Sequence, residues 1–122
     1  CMQTMRFLIT GGSQGIGAAL VDQATAAGHQ VVFTGRNPVL VEAVSARTGA
    51  IGVLADVGLA ADNERTVATC QERVGGVDVL VNNAGYAYRA EIGALDVDAM
   101  KRMFDTNVFG LVDMANRVVP AM

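Results

Sequence analysis

A glycine-rich run directly follows the short apolar segment Phe7-Leu8-Ile9 and opens onto an alanine-rich, helix-like segment. Residues 10–17 read Thr-Gly-Gly-Ser-Gln-Gly-Ile-Gly, and glycines 11, 15 and 17 give the spacing G-x-x-x-G-x-G. A helix start presents unpaired backbone N–H groups and the positive end of the helix dipole, and glycines let a phosphate approach that backbone. The run predicts a pyrophosphate-binding turn between a strand and a helix. An ordinary loop is the alternative, because this spacing differs from the commonest dinucleotide fingerprint, G-x-G-x-x-G.

The residues of this turn have distinct expected roles. Gly11 permits a tight bend, Gly15 lets backbone N–H groups reach the pyrophosphate, and Gly17 lets the helix lie close to the first strand. Ser13 offers a hydroxyl to a phosphate, but Ser13 and Gln14 also suit the capping and first-turn positions of a helix. The predicted phosphate-binding set is Gly11, Ser13, Gln14, Gly15, Ile16 and Gly17.

Arg36 is the side chain that bears on the choice of nucleotide. It lies just past the second predicted strand, about twenty residues after the glycine turn, where an acidic residue would accept hydrogen bonds from the ribose of NAD. The segment Thr34-Gly35-Arg36-Asn37 has no carboxylate there. A guanidinium offers phosphate a planar set of donors and a positive charge, which favours NADP(H) over NAD(H). The alternative is a solvated arginine in an exposed turn.

Asn107 lies inside a long helical pattern, where asparagine is a poor helix former and can perturb the backbone so that a carbonyl is freed. Its apolar neighbours Phe104, Val108 and Leu111 predict an enclosed position. A buried amide needs hydrogen-bond partners, so a functional or structural contact is expected here. A plain surface asparagine is the alternative.

Four motifs stand in one order along the chain: Thr10-Gly11-x-x-x-Gly15-x-Gly17, Asp56-Val57, Asn82-Asn83-Ala84-Gly85 and Asn107. In order and approximate separation this set resembles the short-chain dehydrogenase/reductase family over essentially the whole chain. The resemblance implies an α/β fold of Rossmann type, a doubly wound parallel sheet in three layers, and a nicotinamide dinucleotide cofactor. It also implies a small-molecule carbonyl or alcohol substrate, and an oxidoreductase that commonly packs into a homo-oligomer through its long helix.

The resemblance also implies residue roles. The Asp56 carboxylate accepts a hydrogen bond from the adenine amino group and the next backbone N–H, that of Val57, donates to the ring; a helix-capping aspartate is the competing interpretation. In the tetrapeptide at 82–85, Asn82 braces the central strands, and Asn83, Ala84 and Gly85 form the cofactor-binding part, although such residues are also common in turns. Thr10 ties the glycine turn to this tetrapeptide, and Asn107 holds a water in a proton relay.

The family's catalytic serine and Tyr-x-x-x-Lys lie beyond the position of Asn107, and this sequence does not contain them. Lys101 is the only lysine, and neither Tyr86 nor Tyr88 has a lysine four residues later. The 122 residues therefore resemble the NADP(H)-binding N-terminal part of an enzyme, with a sheet incomplete on its C-terminal side and negligible turnover expected. A catalytically silent NADP-sensing or regulatory module and a structural remnant that binds nothing are the alternatives.

Composition limits the partners and the compartment. A net charge of −3, with basic residues scattered singly, gives no electrostatic footprint for nucleic acid or an anionic membrane. The cysteines, Cys1 and Cys70, make no disulfide framework, and Cys70 fits a buried thiol in a helix. No leader or membrane-spanning run is apparent, so a cytoplasmic location is expected. His29, the single histidine, is expected to be solvated, with no partner for metal binding or base catalysis.

Apolar runs alternate with amphipathic segments along the chain. This alternation predicts strands separated by helices, right-handed crossovers and a parallel sheet whose strands are buried on both faces. Predicted strands cover residues 6–10, 30–34, 51–54 and 77–81; predicted helices cover 14–27, 38 to about 49, 59–74 and a long segment from 100 to 119; residues 86–95 form a loop.

Overall fold

A computed structural model of the chain describes residues 3–122 and contains one parallel sheet. Its strands are β1 (Arg6–Ile9), β2 (Gln30–Gly35), β3 (Ile51–Leu54) and β4 (Val79–Val81), in the order β3-β2-β1-β4. Leu8 of β1 is in register with Val32 of β2 and with Leu80 of β4. The predicted parallel, Rossmann-type sheet is confirmed.

Five α-helices connect or follow the strands within the described residues. They are α1 (Gly15–Ala26), α2 (Pro38–Thr48), α3 (Ala60–Val74), α4 (Val97–Phe104) and α5 (Leu111–Val118). A π-helical turn, Asp105–Gly110, joins α4 to α5, and a 3₁₀ turn, Val119–Ala121, follows α5. None of the helices described for residues 3–122 is both long and apolar enough to cross a membrane.

The apolar core lies on both faces of the sheet, since successive strand residues point to opposite sides. On one face Leu8 and Val32 pack with Cys70 of α3 and Met114 of α5. On the other face the strand residues pack against α1 and α2, through Ile9, Val31, Phe33, Val21, Val41 and Val44. Helices therefore cover both faces of the sheet, so a ligand can reach the sheet only at the ends of its strands.

Several predicted boundaries and environments need correction. β4 begins at Val79 instead of residue 77. Just before it, the Asp78 carboxylate accepts the Arg6 backbone N–H while the Asp78 N–H donates to the Arg6 carbonyl. His29 is half-buried: its Nδ1 accepts the Met5 N–H and its ring lies 5.1 Å from the Phe7 ring. Cys70 is a buried thiol as expected, and burial raises its pKa to about 11. Cys1 lies outside the described residues.

Candidate nucleotide-binding site

A cleft of about 710 Å³ opens at the carboxyl ends of the strands. Ligands of open α/β sheets bind at this edge. Of the residues predicted to bind the cofactor, all except Gly15 and Gly17 line the cleft. Lining residues that the sequence did not single out as binding residues are Thr34, Gly35, Asn37, Pro38, Leu40, Ala55, Tyr86 and Thr106.

The glycine turn is tightly packed at two of its predicted positions. Gly11 has φ +66°, and a Cβ built on it would lie 2.9 Å from Ala84 Cα. A Cβ on Gly17 would overlap the Gly11 carbonyl oxygen and would lie 2.6 Å from Asn83 Nδ2. Gly17 therefore lets helix α1 lie against the turn that follows β1, in agreement with the expected close approach of this helix to the first strand. Both positions require glycine for lack of space.

Gly15 is a contrasting position in the same run. It has φ +56°, but a Cβ built there would meet nothing within 4 Å. Gln14 precedes it in an extended conformation and makes no side-chain capping bond, and the first turn of α1 has no acidic residue. The capping alternative for Gln14 is therefore not observed. The first N–H groups of α1 have no acceptor within the helix, so they remain available to an acceptor outside it.

Ser13 is buried beneath the turn, and its side chain fits there because the facing residue of β2, Gly35, has no side chain. A Cβ on Gly35 would lie 2.5 Å from Ser13 Oγ, and one on Gly12 would lie 2.7 Å from Phe33 Cβ. Gly12 and Gly35 are thus two structural requirements that sequence reasoning missed. The signal available in the sequence was only that each glycine lies at or just after a strand end.

Hydrogen bonds fix the glycine turn to the ends of its neighbouring strands. Thr10 Oγ1 accepts the N–H groups of Asn83 and Ala84 at 3.1 Å each, so the expected tie is confirmed. Asn83 Nδ2 donates to the Gly11 carbonyl at 3.1 Å. Asn83 thus fixes the glycine turn, and the bracing of the central strands that the resemblance gives to Asn82 stays a prediction. Thr34, a residue sequence reasoning missed, accepts the Gly11 N–H through Oγ1 at 3.2 Å.

Arg36 lies at the carboxyl end of β2 with its side chain over the cleft. The guanidinium carbon is 5.3 Å from the centroid of the Tyr86 ring, within the range of a cation–π contact. Within residues 3–122 it forms no ion pair with a carboxylate. The charge of Arg36 is therefore available to an anion that enters the cleft.

Asp56 and Val57 form a turn after β3. Asp56 Oδ1 accepts the Gly58 N–H at 2.8 Å, and the Asp56 N–H donates to Asp62 Oδ2 at 2.8 Å. The capped element is this turn and not helix α3, whose first residue follows Leu59. The helix-capping alternative for Asp56 is thus corrected to a side-chain-capped turn. Val57 points its side chain into the core, and its backbone faces the cleft region.

Asn107 lies in the π-helical turn and binds the segment after β4. Its Oδ1 accepts the Tyr86 N–H at 3.0 Å, and its Nδ2 donates to the Tyr86 carbonyl at 2.7 Å. The π turn bears out the expected backbone perturbation at Asn107. The expected enclosure is wrong, because Phe104, Val108 and Leu111 are all exposed. Asn107 is half-buried on the inner side of the turn, beside Gly85.

The charge pattern of the cleft differs from that of a metal site. The described part of the chain, residues 3–122, holds no cluster of three or more histidine, cysteine, aspartate or glutamate side chains. The cleft instead offers backbone N–H groups, one guanidinium and one partly used carboxylate. This donor set suits a phosphorylated nucleotide whose base has an amino group.

Comparisons with known proteins agree with this chemistry. The family model for short chain dehydrogenases matches residues 6–122. A short-chain dehydrogenase/reductase of Pestalotiopsis microspora is 35% identical over 114 residues, which are 93% of this chain and 41% of that protein.

Two solved structures share the fold. The 3-ketoacyl-(acyl-carrier-protein) reductase of Brucella melitensis, complexed with NADH, matches with a TM-score of 0.90 at 29% identity, over 95% of this chain and 49% of its own. The L-sorbose reductase of Gluconobacter frateurii, complexed with NADPH and L-sorbose, matches with a TM-score of 0.87 at 25% identity, over 99% of this chain and 48% of its own. The chain spans less than half the length of each of these three relatives.

Proposed function

Because the chain belongs to the short-chain dehydrogenase/reductase family, we propose that it is the NADP(H)-binding part of an oxidoreductase acting on a small carbonyl or alcohol substrate. The observation that carries the proposal is the uncapped start of α1, where Gln14 and Ile16 line the cleft at the carboxyl ends of the strands. A bound nicotinamide cofactor would supply hydride transfer.

The residues of this chain bind and orient such a cofactor. The N–H groups at 15–17 hold the diphosphate, with Ser13 beneath them and Gln14 and Ile16 at the opening. Ala84 and Gly85 leave room at the end of β4, where a side chain on Gly85 would press on Asn107. In the Asp56–Val57 turn, the Asp56 carboxylate accepts a hydrogen bond from the adenine amino group and the Val57 N–H donates one to the adenine ring.

The preference for NADP(H) rests on Arg36. A 2′-phosphate brings a doubly charged group to the end of β2, where Arg36 has no competing carboxylate among residues 3–122. An ion pair with phosphate exceeds a cation–π contact with Tyr86, so we expect the guanidinium to leave the ring for the phosphate. The relatives crystallised with NADH and with NADPH show that both cofactors occur within this fold.

Asn107 is proposed to position a water of a proton relay and not to contact the substrate. Its amide oxygen and its amide nitrogen each make one hydrogen bond to the Tyr86 backbone, and this pair sets the segment after β4 at the edge of the cleft. The backbone of the π turn, held in place by that pair of bonds, is the part of Asn107 proposed to position a water of a proton relay. Because residues 1–122 contain no Tyr-x-x-x-Lys, we expect them to bind nucleotide without reducing a carbonyl.

The cofactor assignment is tested by titrating the protein with NADPH and with NADH and following nucleotide fluorescence. Arg36→Asp should weaken NADPH binding by about tenfold or more, the equivalent of losing one charge-assisted hydrogen bond, and NADH binding should change far less. Arg73→Asp is the matched control, since Arg73 is exposed at the far end of α3 and makes the same charge change. Unchanged NADPH affinity in Arg36→Asp would overturn the NADP assignment.

A further inference from the structure

A buried polar network joins α3 to α5 behind the cleft. Asn63 is 1% exposed, and its Nδ2 donates to the Val57 carbonyl and to Asp113 Oδ2, at 2.9 Å each. Arg117 Nε donates to the same Asp113 oxygen at 3.0 Å. Asn63 Oδ1 has no partner among residues 3–122. A buried amide with an unpaired oxygen lowers stability, so the two bonds made by its nitrogen are the interactions that account for its presence.

The Val57 carbonyl is held from a second side by the π-helical turn. A Cβ on Gly110 would overlap this oxygen, and it would lie 2.8 Å from the Val57 carbonyl carbon. The same turn carries Asn107, which binds the Tyr86 backbone. The turn at 105–110 therefore touches both the segment after β3 and the segment after β4. Asn63 and Asp113 fix the first of these contacts from behind.

We propose that Asn63 and Asp113 are positioning residues for the adenine end of the nucleotide site. They hold the Val57 carbonyl against the π turn. Through the backbone of the Asp56–Val57 turn, this sets the direction in which the Asp56 carboxylate and the Val57 N–H face the base. Neither side chain lines the cleft. The inference rests on the proposed function, because it concerns how the same cleft recognises its nucleotide.

The charge of Asp113 supports this arrangement. Its hydrogen bonds from Asn63 and Arg117 lower the pKa of Asp113, so its carboxylate is ionised and accepts both donors at neutral pH. An ionised acceptor makes the stronger bond, and it fixes which way the Asn63 amide points. The nitrogen of Asn63 is thereby presented to the Val57 carbonyl.

The test compares NADPH with its hypoxanthine analogue, which has a carbonyl in place of the adenine amino group. We expect the protein to bind NADPH about 2–10 times more tightly than the analogue, the range for one hydrogen bond. Asn63→Val should bring this ratio close to one, because the Val57 peptide loses its donor. Val44→Ala is the control: it opens a gap in the core on the opposite face and should lower stability while the ratio stays at the wild-type value.

Asp113→Ala provides a second variant if Asn63→Val fails to fold, since the Asp113 side chain is 34% exposed and its loss is tolerated more easily. It should lower the ratio by a smaller factor. An unchanged ratio in a folded Asn63→Val protein, or in Asp113→Ala where the first variant does not fold, would overturn the proposal, as would equal binding of both nucleotides by the wild-type protein. In those cases NADPH still binds and the proposed function stands, whereas failure of the wild-type protein to bind NADPH overturns both.

Discussion

Glycines at the two ends of the sheet are needed for different physical reasons. At the amino ends of the strands, Gly28 and Gly49 have φ of +88° and +79°, and a Cβ on either would meet nothing within 4 Å. At the carboxyl ends, a Cβ on Gly12 or Gly17 would fall within 3 Å of neighbouring atoms. The first pair supplies backbone angles that end helices, and the second pair supplies space.

Polar side chains show the same division. At the amino end Arg6 and Asp78 pair with each other, with Arg6 Nη2 and Asp78 Oδ1 2.8 Å apart. At the carboxyl end Thr34 and Asn83 bind the backbone of Gly11 in the glycine turn, and Thr10 of that turn accepts the backbone N–H of Asn83. At the amino ends of the strands the charged side chains neutralise each other. At the carboxyl ends the polar side chains hold the backbone in place, and the N–H groups at the start of α1 stay available. The cleft beside the glycine turn is the space in which we propose that the nucleotide binds.

We expect the largest effect from adding a side chain at a glycine that has no space for one. Gly17→Ala places a methyl group on the Gly11 carbonyl and beside Asn83 Nδ2, so the start of α1 must move away from the turn. Overpacking of this kind lowers the free energy of unfolding by about 1–3 kcal/mol, and it should abolish measurable NADPH binding. Urea denaturation and nucleotide titration measure the two effects.

Gly49→Ala is the control from the other end of the sheet. It keeps an open site but forces alanine into a left-handed conformation, which lowers stability by about 1–2 kcal/mol. NADPH affinity should not change. If Gly49→Ala weakened binding as much as Gly17→Ala, the distinction between glycines that give space and glycines that give angles would fail.

A smaller effect is expected from removing the hydroxyl that ties the turn to β4. Thr10→Val leaves the N–H groups of Asn83 and Ala84 without their acceptor, and Thr10 is almost fully buried. We expect a loss of about 2 kcal/mol in the free energy of unfolding, together with weaker NADPH binding. Thr48→Val, at the amino end, removes one acceptor from a half-exposed turn and should cost less than about 1 kcal/mol with binding unchanged. Equal losses in both variants would contradict this prediction.

Sequence reasoning located the turn because strand, glycine and helix signals are local. Gly11 was assigned to a tight bend from the spacing of the glycines, and its positive φ agrees with that assignment. The role of Gly15 at a pyrophosphate stays a prediction. Gly12 and Gly35 were missed, since their need for glycine comes from Phe33 and Ser13, which approach only in the folded chain. The bond from Asn83 to the Gly11 carbonyl was not predicted for a similar reason: which of two adjacent amides faces this carbonyl depends on how β4 lies against β1.

The network behind the cleft was less accessible to sequence reasoning. Asn63 and Asp113 are separated by 50 positions along the chain, and neither resembles a site residue by type or spacing. The sequence did contain one useful signal, an asparagine among apolar residues at 107, and it located the π turn. It misplaced the neighbours of Asn107: Phe104, the last residue of α4, and Val108, in the π turn, are both exposed.

The smallest effect is expected at the amino end, where the Arg6–Asp78 pair is partly exposed to water. Hydrogen bonds from Arg6 lower the pKa of Asp78 from 3.8 to about 2. Since the folded-state pKa lies below the unfolded one, the stabilisation is complete above about pH 4 and is lost as the pH falls through about 2. Asp78→Asn cannot titrate at this position. The stability difference between wild type and Asp78→Asn, measured by urea denaturation, should therefore be constant near neutral pH and shrink below about pH 4, with NADPH affinity equal in the two proteins. If the two stability curves stayed parallel down to about pH 2, the Asp78 carboxylate would contribute nothing to the free energy of unfolding, and backbone pairing alone would hold the amino end together.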